Sequence, residues 1–469
     1  MASRDPRRPN VLFILSDDQG PWALGCAGNA DIRTPHLDAL AESGLRLSRF
    51  FCASPVCSPA RASLFTGEIP SRHGVHDWLS AHHAGPGAID FLAGRRLFTD
   101  DLAEAGYRLG LVGKWHLGAN DRPRPGFVHW YAHESGGGPY HGAPVWDNGV
   151  RREVPGYLTD VLTAEAQAFI DREASQEAPF YLSLHYTAPH KPWKGQHPPQ
   201  FEQLYANCVF ESCPREPPHP WQPYDEGGAP VGGEPDTRAA LIGYFAAVTA
   251  MDAGIGRVME TLRRHDLTAS TLVVFTSDNG FNCGHHGIWG KGNGTFPQNM
   301  YDSSVMVPFI ASQPGRISAG QVSDTLLSAY DVRPTLLDHL GLPCDAGGPG
   351  RPFSAARREV VVHDEYGPVR MIRTTRWKYV HRYPHGPHEL YDLALDPGER
   401  RNLIGEEPPE LHDLRARLEE WFARYADPAM DGSRLPVNGS GQHSPAGISA
   451  FERAPYPTEP GRQGLTRPL

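Results

Sequence analysis

Short apolar runs alternate along most of the chain with segments that have the pattern of amphipathic helices. Four such runs precede clusters of polar residues, at 11–15, 108–112, 180–184 and 271–275. Between the runs, a segment such as TPHLDALAESG places Pro35 at a helix start and Gly44 at a helix stop. This alternation predicts an α/β domain whose central sheet is mostly parallel and flanked by helices.

Each of the four apolar runs ends in polar side chains that can take part in chemistry. The residues concerned are Asp17 and Asp18, Lys114 and His116, His185 and His190, and Asp278 and Asn279. In open parallel sheets, ligands bind beyond the carboxyl ends of the strands. We therefore expect these side chains to contribute to one site.

A second pattern begins after a Gly/Pro-rich stretch at 341–352, which predicts a domain boundary. The large domain is expected to cover 1–345. Short strand-like runs and a helical segment near 409–425 then predict a small C-terminal α+β domain at 353–428, with an antiparallel sheet and one helix. The tail at 429–469 is expected to be irregular. The proline-rich segment 195–234 predicts a long loop that shapes the substrate site.

Composition narrows the class of partner. The chain has 469 residues, 39% of them hydrophobic, which can build a large core. Its formal net charge of −10 is spread without a basic block, so nucleic acid is not an expected partner. The apolar run near the N-terminus is too short for a signal peptide, and no stretch approaches the roughly 18 apolar residues of a membrane span. We expect a cytoplasmic protein, and an oligomer stays open.

Cysteine and lysine usage adds two constraints. The seven cysteines contain no C-x-x-C pair and their number is odd, which argues against a zinc knuckle and against a disulfide framework, although a bridge between Cys208 and Cys213 stays open. Only five of the 44 basic residues are lysines. An ammonium group is not interchangeable with a guanidinium fork, so a lysine in this arginine-rich chain is a candidate for a position where the chemistry needs an ammonium. The five lysines are Lys114, Lys191, Lys194, Lys291 and Lys378.

The two acidic strand ends favour a metal site. Asp17, Asp18, Asp278 and Asn279 offer hard oxygen ligands without a cysteine or histidine motif, which suits calcium or magnesium rather than zinc. Adjacent carboxylates also repel each other unless a cation neutralises them. The alternative for a single Asp-Asp pair is a helix cap or a turn.

Cys57 admits several interpretations. It lies in CSPAR, where Pro59 can open a helix. Arg61 follows four residues after Cys57. The cysteine could be a small buried hydrophobic residue, or a thiolate with a lowered pKa at the helix start. The spacing between Cys57 and Arg61 is shorter than in thiolate phosphatase loops, which weighs against the thiolate.

CSPAR resembles the signature C-x-P-x-R of the type I sulfatases, within the alkaline phosphatase superfamily. The resemblance covers nearly the whole chain, through PNVLFILSDDQG, CSPARASLFTG, GLVGKWHLG, HYTAPHKPW, VVFTSDNG, HHGIWGKG, RWKYVH and ELYDLALDPGE. It implies an alkaline phosphatase-like fold and the hydrolysis of an aryl or carbohydrate sulfate monoester.

The resemblance also implies two cofactors. In the family, a maturation enzyme oxidises this cysteine to Cα-formylglycine, and a divalent ion is bound, usually Ca²⁺, with Mg²⁺ or Mn²⁺ as alternatives. The implied metal ligands are Asp17, Asp18, Asp278, Asn279 and the modified Cys57. Arg61 would steady the aldehyde hydrate and the metal carboxylates.

Four further residues match family positions around the sulfate. Lys114 and His116 match the pair that flanks the formylglycine, His190 matches a histidine that contacts substrate, and Lys291 matches the lysine that grips sulfate. In this mechanism one hydroxyl of the hydrated aldehyde attacks sulfur, and His116 takes the proton of the other so that sulfate is expelled. His190 or Lys291 protonates the leaving alcohol, and with Lys114 they bind the sulfuryl oxygens.

Three functional hypotheses follow. The first is a formylglycine-dependent sulfatase. The second is a phosphonate monoester or phosphodiester hydrolase on the same scaffold, because sulfuryl and phosphoryl groups share tetrahedral geometry and a fold does not determine function. The third is a non-catalytic binder of sulfated ligands, in which Cys57 stays unmodified. Asp77, Trp78 and Trp289 are candidates either for the substrate pocket or for core packing.

Overall fold

A computed structural model describes residues 8–345, 347–355, 357–364, 368–383, 385–432 and 441–446. Its strands are Asn10–Ser16 (β1), Leu45–Phe51 (β2), Arg108–Lys114 (β3), Phe127–His133 (β4), His141–Asp147 (β5), Val150–Tyr157 (β6), Phe180–His185 (β7), Thr271–Ser277 (β8), Asn282–Cys283 (β9), Trp289–Gly290 (β10), Met306–Ser312 (β11), Gln321–Ser323 (β12), Leu327–Ser328 (β13), Glu359–Asp364 (β14), Val369–Thr374 (β15), Trp377–Arg382 (β16) and Glu389–Asp392 (β17). Its α-helices are Pro35–Glu42 (α1), Cys57–Thr66 (α2), Pro70–His73 (α3), Phe98–Glu104 (α4), Leu158–Glu173 (α5), Pro199–Tyr205 (α6), Thr237–Arg264 (α7), Asp302–Val305 (α8), Val332–His339 (α9) and Pro409–Tyr425 (α10).

The large sheet has eleven strands in the order β12-β2-β11-β8-β1-β7-β3-β4-β5-β6, with β13 also paired to β2. Its centre, β8-β1-β7-β3-β4, is parallel. β11 runs antiparallel to both β2 and β8, and β5 and β6 form an antiparallel extension at the other side. The predicted α/β fold is confirmed, with a mixed sheet around a parallel centre.

Burial on both faces explains why the central strands read as apolar runs. Along β1, the buried residues Val11, Phe13 and Leu15 face one hydrophobic cluster, and Leu12 and Ile14 face the other. Helices α2, α4 and α9 pack on the first side, and α1, α5 and α7 pack on the second. The sheet therefore lies between two helical layers, with its strand ends free to form a site.

The C-terminal part is a four-stranded antiparallel sheet in the order β14-β15-β16-β17, with α10 packed against β15 and β16. Its make-up agrees with the predicted strands and helix, while the predicted domain limits at 345, 353 and 428 stay predictions. Within the tail predicted to be irregular at 429–469, residues 433–440 and 447–469 lie outside the described residues.

The structure excludes one alternative that the sequence left open and corrects one expectation. Cys208 and Cys213 are both free thiols and form no disulfide, and the Cys208 Sγ instead lies 3.7 Å from Asp31 Oδ1. Among the described residues, α7 is the one helix long and apolar enough to cross a membrane, although no such stretch was expected from the sequence. Most of this helix is buried, and residues such as Met251 and Ile255 pack into the core, as in the core helix of a globular domain.

Candidate active site

The acidic residues meet because their two strands are neighbours. β1 and β8 pair in parallel with Ser16 opposite Ser277, so Asp17 and Asp18 emerge beside Asp278 and Asn279. Asp18 adopts a left-handed backbone conformation with φ of 62°, which residues with a side chain rarely adopt. Its N–H donates to Asp278 Oδ1 over 3.2 Å, which locks the two strand ends together.

Cys57 lies against this acidic group at the N-terminus of α2. Its Sγ is 3.5 Å from Asp17 Oδ1 and 3.9 Å from Asp18 Oδ1. One ligand atom from each of Asp17, Asp18, Cys57 and Asp278 lies within 4.8 Å of the others, and all four residues are buried. The position of Cys57, which the sequence pattern left ambiguous, is therefore beside a possible ligand cluster rather than in a purely apolar core.

The donor set fits a hard divalent cation. Burial and the nearby Asp278 charge raise the pKa of Asp17 to about 7, and Lys114 only partly opposes them. The Asn279 Oδ1 atom is buried and has no hydrogen-bond partner among the described residues. Its Nδ2 donates to Asp18 Oδ1 over 2.7 Å. A cation among these oxygens would relieve the carboxylate repulsion and satisfy the orphaned amide oxygen.

Two buried cations brace the acidic group from behind. The Arg61 Nε lies 2.9 Å from Asp278 Oδ2, and the Arg61 Nη1 donates to the carbonyl of Lys114 over 2.9 Å. The Lys114 ammonium lies 2.5 Å from Asp17 Oδ2. Burial alone would raise the pKa of Asp278, but the charges of Arg61 and Lys114 outweigh it and keep that pKa below its usual value.

Lys291 reaches the same group from the opposite side. Its ammonium lies 2.6 Å from Asp18 Oδ1 and 2.6 Å from the Cys57 Sγ. Burial raises the pKa of the Cys57 thiol to about 12 even though Lys114 and Lys291 oppose this. A thiolate nucleophile is therefore disfavoured, because a reactive cysteine needs a lowered pKa.

Two histidines line the same pocket as Cys57, and backbone carbonyls orient their rings. The His116 Nε2 lies 2.8 Å from the carbonyl of Leu79, and the His190 Nδ1 lies 2.7 Å from the carbonyl of Lys191. A carbonyl can only accept, so each of these nitrogens carries a proton. The His190 Nε2 faces Asp18 Oδ2 at 3.7 Å, and the His116 Nδ1 is buried without a hydrogen-bond partner in the described part of the chain.

A glycine-rich loop packs on both rings. A Cβ on Gly136 would lie 2.2 Å from the His116 ring, and a Cβ on Gly137 would lie 2.6 Å from the His190 ring. Both distances are shorter than real Cβ contacts, so only glycine permits this approach. The role of these glycines was missed from the sequence, where the run of three glycines at 136–138 was the available signal.

These groups surround a pocket of about 430 Å³. Its floor includes Asp18, Cys57, His116, His190 and Lys291. Its walls include Trp78, Ala81 and Ser135, Val231 of the proline-rich segment, and Lys191 and Asn293, which lie close in sequence to His190 and Lys291. The proline-rich segment thus contributes to the pocket, as expected from the sequence.

The sequence matches the family model described as Sulfatase over residues 9–342. The chain belongs to the sulfatase family. A second match, described as N-sulphoglucosamine sulphohydrolase, C-terminal, covers residues 284–427. With this membership the protein is a sulfuric ester hydrolase, and its substrate is a sulfate ester.

Two of the curated relatives of this sulfatase are named for sulfated amino sugars. The N-acetylglucosamine-6-O-sulfatase of Bacteroides thetaiotaomicron is 26% identical over 90% of this chain and 88% of its own length. The human N-acetylgalactosamine-6-sulfatase is 31% identical over 73% of this chain and 64% of its own length.

Solved structures agree on the fold. The putative sulfatase yidJ of Bacteroides fragilis is 26% identical and has a TM-score of 0.77. The match covers 93% of this chain and 100% of the yidJ chain. The phosphonate monoester hydrolase of Agrobacterium radiobacter is 24% identical with a TM-score of 0.70, over 89% of this chain and 96% of its own. The second likeness shows the fold alone, so the fold does not by itself separate sulfate from phosphonate chemistry.

Of the other residues in the family motifs, His185, His285, His286 and Trp289 lie outside the pocket lining. His185 supports the strand end, with its Nδ1 3.0 Å from the carbonyl of Lys114. The His286 ring stacks on Tyr301 at 3.8 Å, and His285 packs against Trp22. Trp289 packs against Trp193. Of the three pocket candidates Asp77, Trp78 and Trp289, only Trp78 lines the pocket.

Proposed function

We propose that this sulfatase cleaves the sulfate monoester of a saccharide, with Cα-formylglycine formed from Cys57 as the source of the nucleophile. The observation that supports this proposal most is the position of the Cys57 Sγ, 3.5 Å from Asp17 Oδ1 and 2.6 Å from the Lys291 ammonium, at the floor of the pocket. An unmodified thiol with a raised pKa would be a poor nucleophile there.

Two groups complete the proposed centre. A divalent cation, Ca²⁺ in our proposal, would be held by Asp17, Asp18, Asp278, Asn279 and the modified residue 57, and would stabilise negative charge on the sulfuryl oxygens. Formylglycine in its hydrated form would supply a hydroxyl nucleophile in place of the thiol. A formylglycine-generating enzyme is the implied maturation partner.

The chain's own residues would orient the sulfate and keep its charge balanced. Lys291 presents its ammonium toward Cys57 from the pocket side, where it can bind a sulfuryl oxygen. Lys114 and Arg61 lie behind the acidic group and hold Asp17 and Asp278 in place. The sulfate would therefore meet a positive group in front, with the acidic residues fixed behind it.

The two histidines suit opposite proton transfers. Because the His116 Nε2–H donates to the carbonyl of Leu79, Nδ1 is the ring nitrogen with a lone pair that can accept a proton. The His190 Nδ1 proton is held by the carbonyl of Lys191, so Nε2 is the nitrogen that faces the substrate. Burial lowers the pKa of His190 to about 4, but a bound sulfate raises it and favours a protonated Nε2 that donates to the leaving alcohol oxygen.

A saccharide suits the pocket and the relatives. Curated relatives include enzymes named for the sulfates of N-acetylglucosamine and N-acetylgalactosamine, and one named as active on ulvan. Trp78 lines the wall of the pocket, and an aromatic face there can pack against a sugar ring.

The test combines a mass measurement with turnover. The protein is produced together with a formylglycine-generating enzyme, and the tryptic peptide at 50–61 is weighed for the loss of sulfur and gain of oxygen at Cys57. N-acetylglucosamine 6-sulfate, 4-nitrophenyl sulfate and 4-nitrophenyl phenylphosphonate are then assayed, with Cys57→Ala as the control. Modification together with preferred cleavage of the sulfates supports the proposal.

Three outcomes would contradict it. Faster cleavage of the phosphonate than of either sulfate would point to the phosphonate hydrolase. Binding of the sulfated sugar without turnover by the modified protein would point to the non-catalytic binder. Full activity of Cys57→Ala would remove residue 57 from the mechanism.

A further inference from the structure

We propose that Lys191 forms an anion subsite at the mouth of the pocket, so that the preferred substrate is an acidic saccharide. Such a substrate carries a second anionic group, a carboxylate or another sulfate, in addition to the sulfate that is cleaved. This inference rests on the proposed function and names the substrate class of the same site.

Lys191 is fixed at the pocket by its neighbours in the chain. It directly follows His190, and its carbonyl accepts the hydrogen bond from the His190 Nδ1. Two residues later the fully buried Trp193 anchors the segment, with its Nε1 donating to the carbonyl of Pro189 over 2.7 Å. The side chain of Lys191 is exposed and lines the same pocket as Cys57 and Lys291. A substrate whose sulfate reaches Cys57 can therefore place a second group within reach of the Lys191 side chain.

The charge of Lys191 is not paired with a carboxylate in the described part of the chain. Its ammonium donates to the backbone carbonyl of Val231 over 3.0 Å. The nearby Glu234 carboxylate accepts instead from the backbone N–H of Trp193 over 2.7 Å, and Asp225 accepts from the N–H of Ala229 over 2.8 Å. An ammonium has three donors, so Lys191 keeps donors for a ligand.

The opposite wall of this subsite is a firmly held arm, defined here as residues 222–234. Within it, the N–H of Val231 donates to the carbonyl of Pro223 over 3.0 Å. Its end packs tightly on the core, because a Cβ on Gly232 would lie 2.2 Å from the carbonyl oxygen of Trp289. Since Val231 both lines the pocket and accepts from Lys191, the arm holds the ammonium at the mouth.

The chain offers a matched control in Lys194. It is exposed, lies three residues further along, and does not line the pocket. Loss of general positive charge would affect Lys191→Met and Lys194→Met equally, whereas loss of a subsite affects only the first. Lys191→Arg keeps the charge and should retain most of the preference.

The experiment compares substrates with one and two anionic groups. Values of kcat/KM are measured for 4-nitrophenyl sulfate, glucosamine 2-N,6-O-disulfate and a 6-sulfated disaccharide that carries a uronate. Lys191→Met is expected to lower the preference for the doubly anionic substrates over the aryl sulfate about tenfold, mainly through KM, as loss of one charge-assisted contact predicts. A fall for only one of the two doubly anionic substrates identifies the second group as sulfate or carboxylate.

Equal losses on all three substrates, or equal effects of Lys191→Met and Lys194→Met, would overturn the subsite. A separate binding measurement keeps the two proposals apart. Calorimetry with glucosamine 2-N,6-O-disulfate is carried out on Cys57→Ala protein with and without Lys191→Met. Weaker binding without Lys191 supports the subsite even where the parent protein cleaves no sulfate ester, and unchanged binding contradicts it even where hydrolysis is fast.

Discussion

The ammonium group of Lys378 lies 2.8 Å from the carbonyl oxygen of Met300, and this hydrogen bond joins the C-terminal sheet to the loop that follows Lys291. The same ammonium lies 2.6 Å from Asp302 Oδ1. Within the loop, the side-chain Nδ2 of Asn299 donates to the carbonyl of Lys291 over 3.1 Å. The small sheet thus holds the backbone of the lysine that reaches Cys57, which ties the C-terminal part of the chain to the chemistry.

Lys378→Met should therefore destabilise the protein strongly. The substitution leaves the buried carboxylates of Asp302 and Glu399 without their lysine partner, and breaking a buried ion pair in this way costs about 3–5 kcal/mol. Arg376→Met is the control, because that arginine is exposed and an ion pair at the surface, such as its pair with Asp392, contributes little to stability. Urea unfolding measures both, and similar losses in the two variants would contradict the role given to Lys378.

Gly137→Ala should damage catalysis more than folding. The new Cβ would lie 2.6 Å from the His190 ring, so the ring must shift from its present position. A displacement of about 1 Å can cost roughly a hundredfold in rate. In Gly138→Ala, the Cβ would lie 3.7 Å from the His133 ring, an ordinary contact, and kcat should stay near the wild-type value. Steady-state kinetics and melting temperatures decide the matter, and equal kcat values for the two variants would refute it.

Asp278→Ala should lower the affinity for the divalent ion. Asp278 supplies one of the four clustered ligand atoms, so its loss is expected to weaken Ca²⁺ binding at least about tenfold. Asp252→Asn is the control, because that buried carboxylate lies outside the cluster and accepts from the N–H of Leu37 over 2.8 Å. Metal content after dialysis, measured by mass spectrometry, should fall only in the first variant. The ligand assignment fails where both proteins retain the same calcium.

The central strands and the acidic strand ends could be predicted because each depends on a local pattern. β1 and β8 are buried along their whole length, have apolar residues at their centres, and are followed directly by Asp17 and Asp278. Strands such as β6, which is mostly exposed, carry no comparable apolar run, and the antiparallel extension of the sheet was not predicted. The family motifs, rather than the pattern, led to the proposed roles of Cys57 and Lys291.

Contacts that arise only from the tertiary fold were beyond sequence reasoning. The tail was expected to be irregular, and that expectation did not indicate that its segment 441–446 makes specific hydrogen bonds to residues 74–78. The Gln442 side chain accepts from the N–H of His76 over 2.7 Å and donates to the carbonyl of Gly74 over 2.8 Å. A single glutamine in a segment rich in Gly, Pro and Ser has no periodicity that would reveal such a contact. The same holds for Gly136 against the His116 ring.

A last prediction concerns stability at acid pH and the buried His197. Its ring packs edge-on against those of Tyr140 and Tyr157, its Nδ1 is 2.9 Å from the Tyr157 hydroxyl, and its Nε2 has no hydrogen-bond partner among the described residues. Burial, aided by the charge of His141, lowers the pKa of His197 to about 3 from its usual 6.5. The native state therefore holds this ring neutral.

Proton linkage gives the direction in which the free energy of unfolding changes with pH. A lowered pKa in the native state means that the unfolded chain binds the extra proton first, so the contribution of His197 is complete above pH 6.5 and is lost as the pH falls toward 3. Between pH 7 and 5 this loss amounts to about 2 kcal/mol. His197→Gln should be less stable than the wild type at pH 7 and should approach it at pH 5. His412→Gln, at an exposed site on α10, is the matched control for the loss of one histidine. Urea unfolding at pH 7, 6 and 5 tests this, and parallel profiles for the wild type and His197→Gln would show that the buried ring takes up a proton as readily as the unfolded chain does.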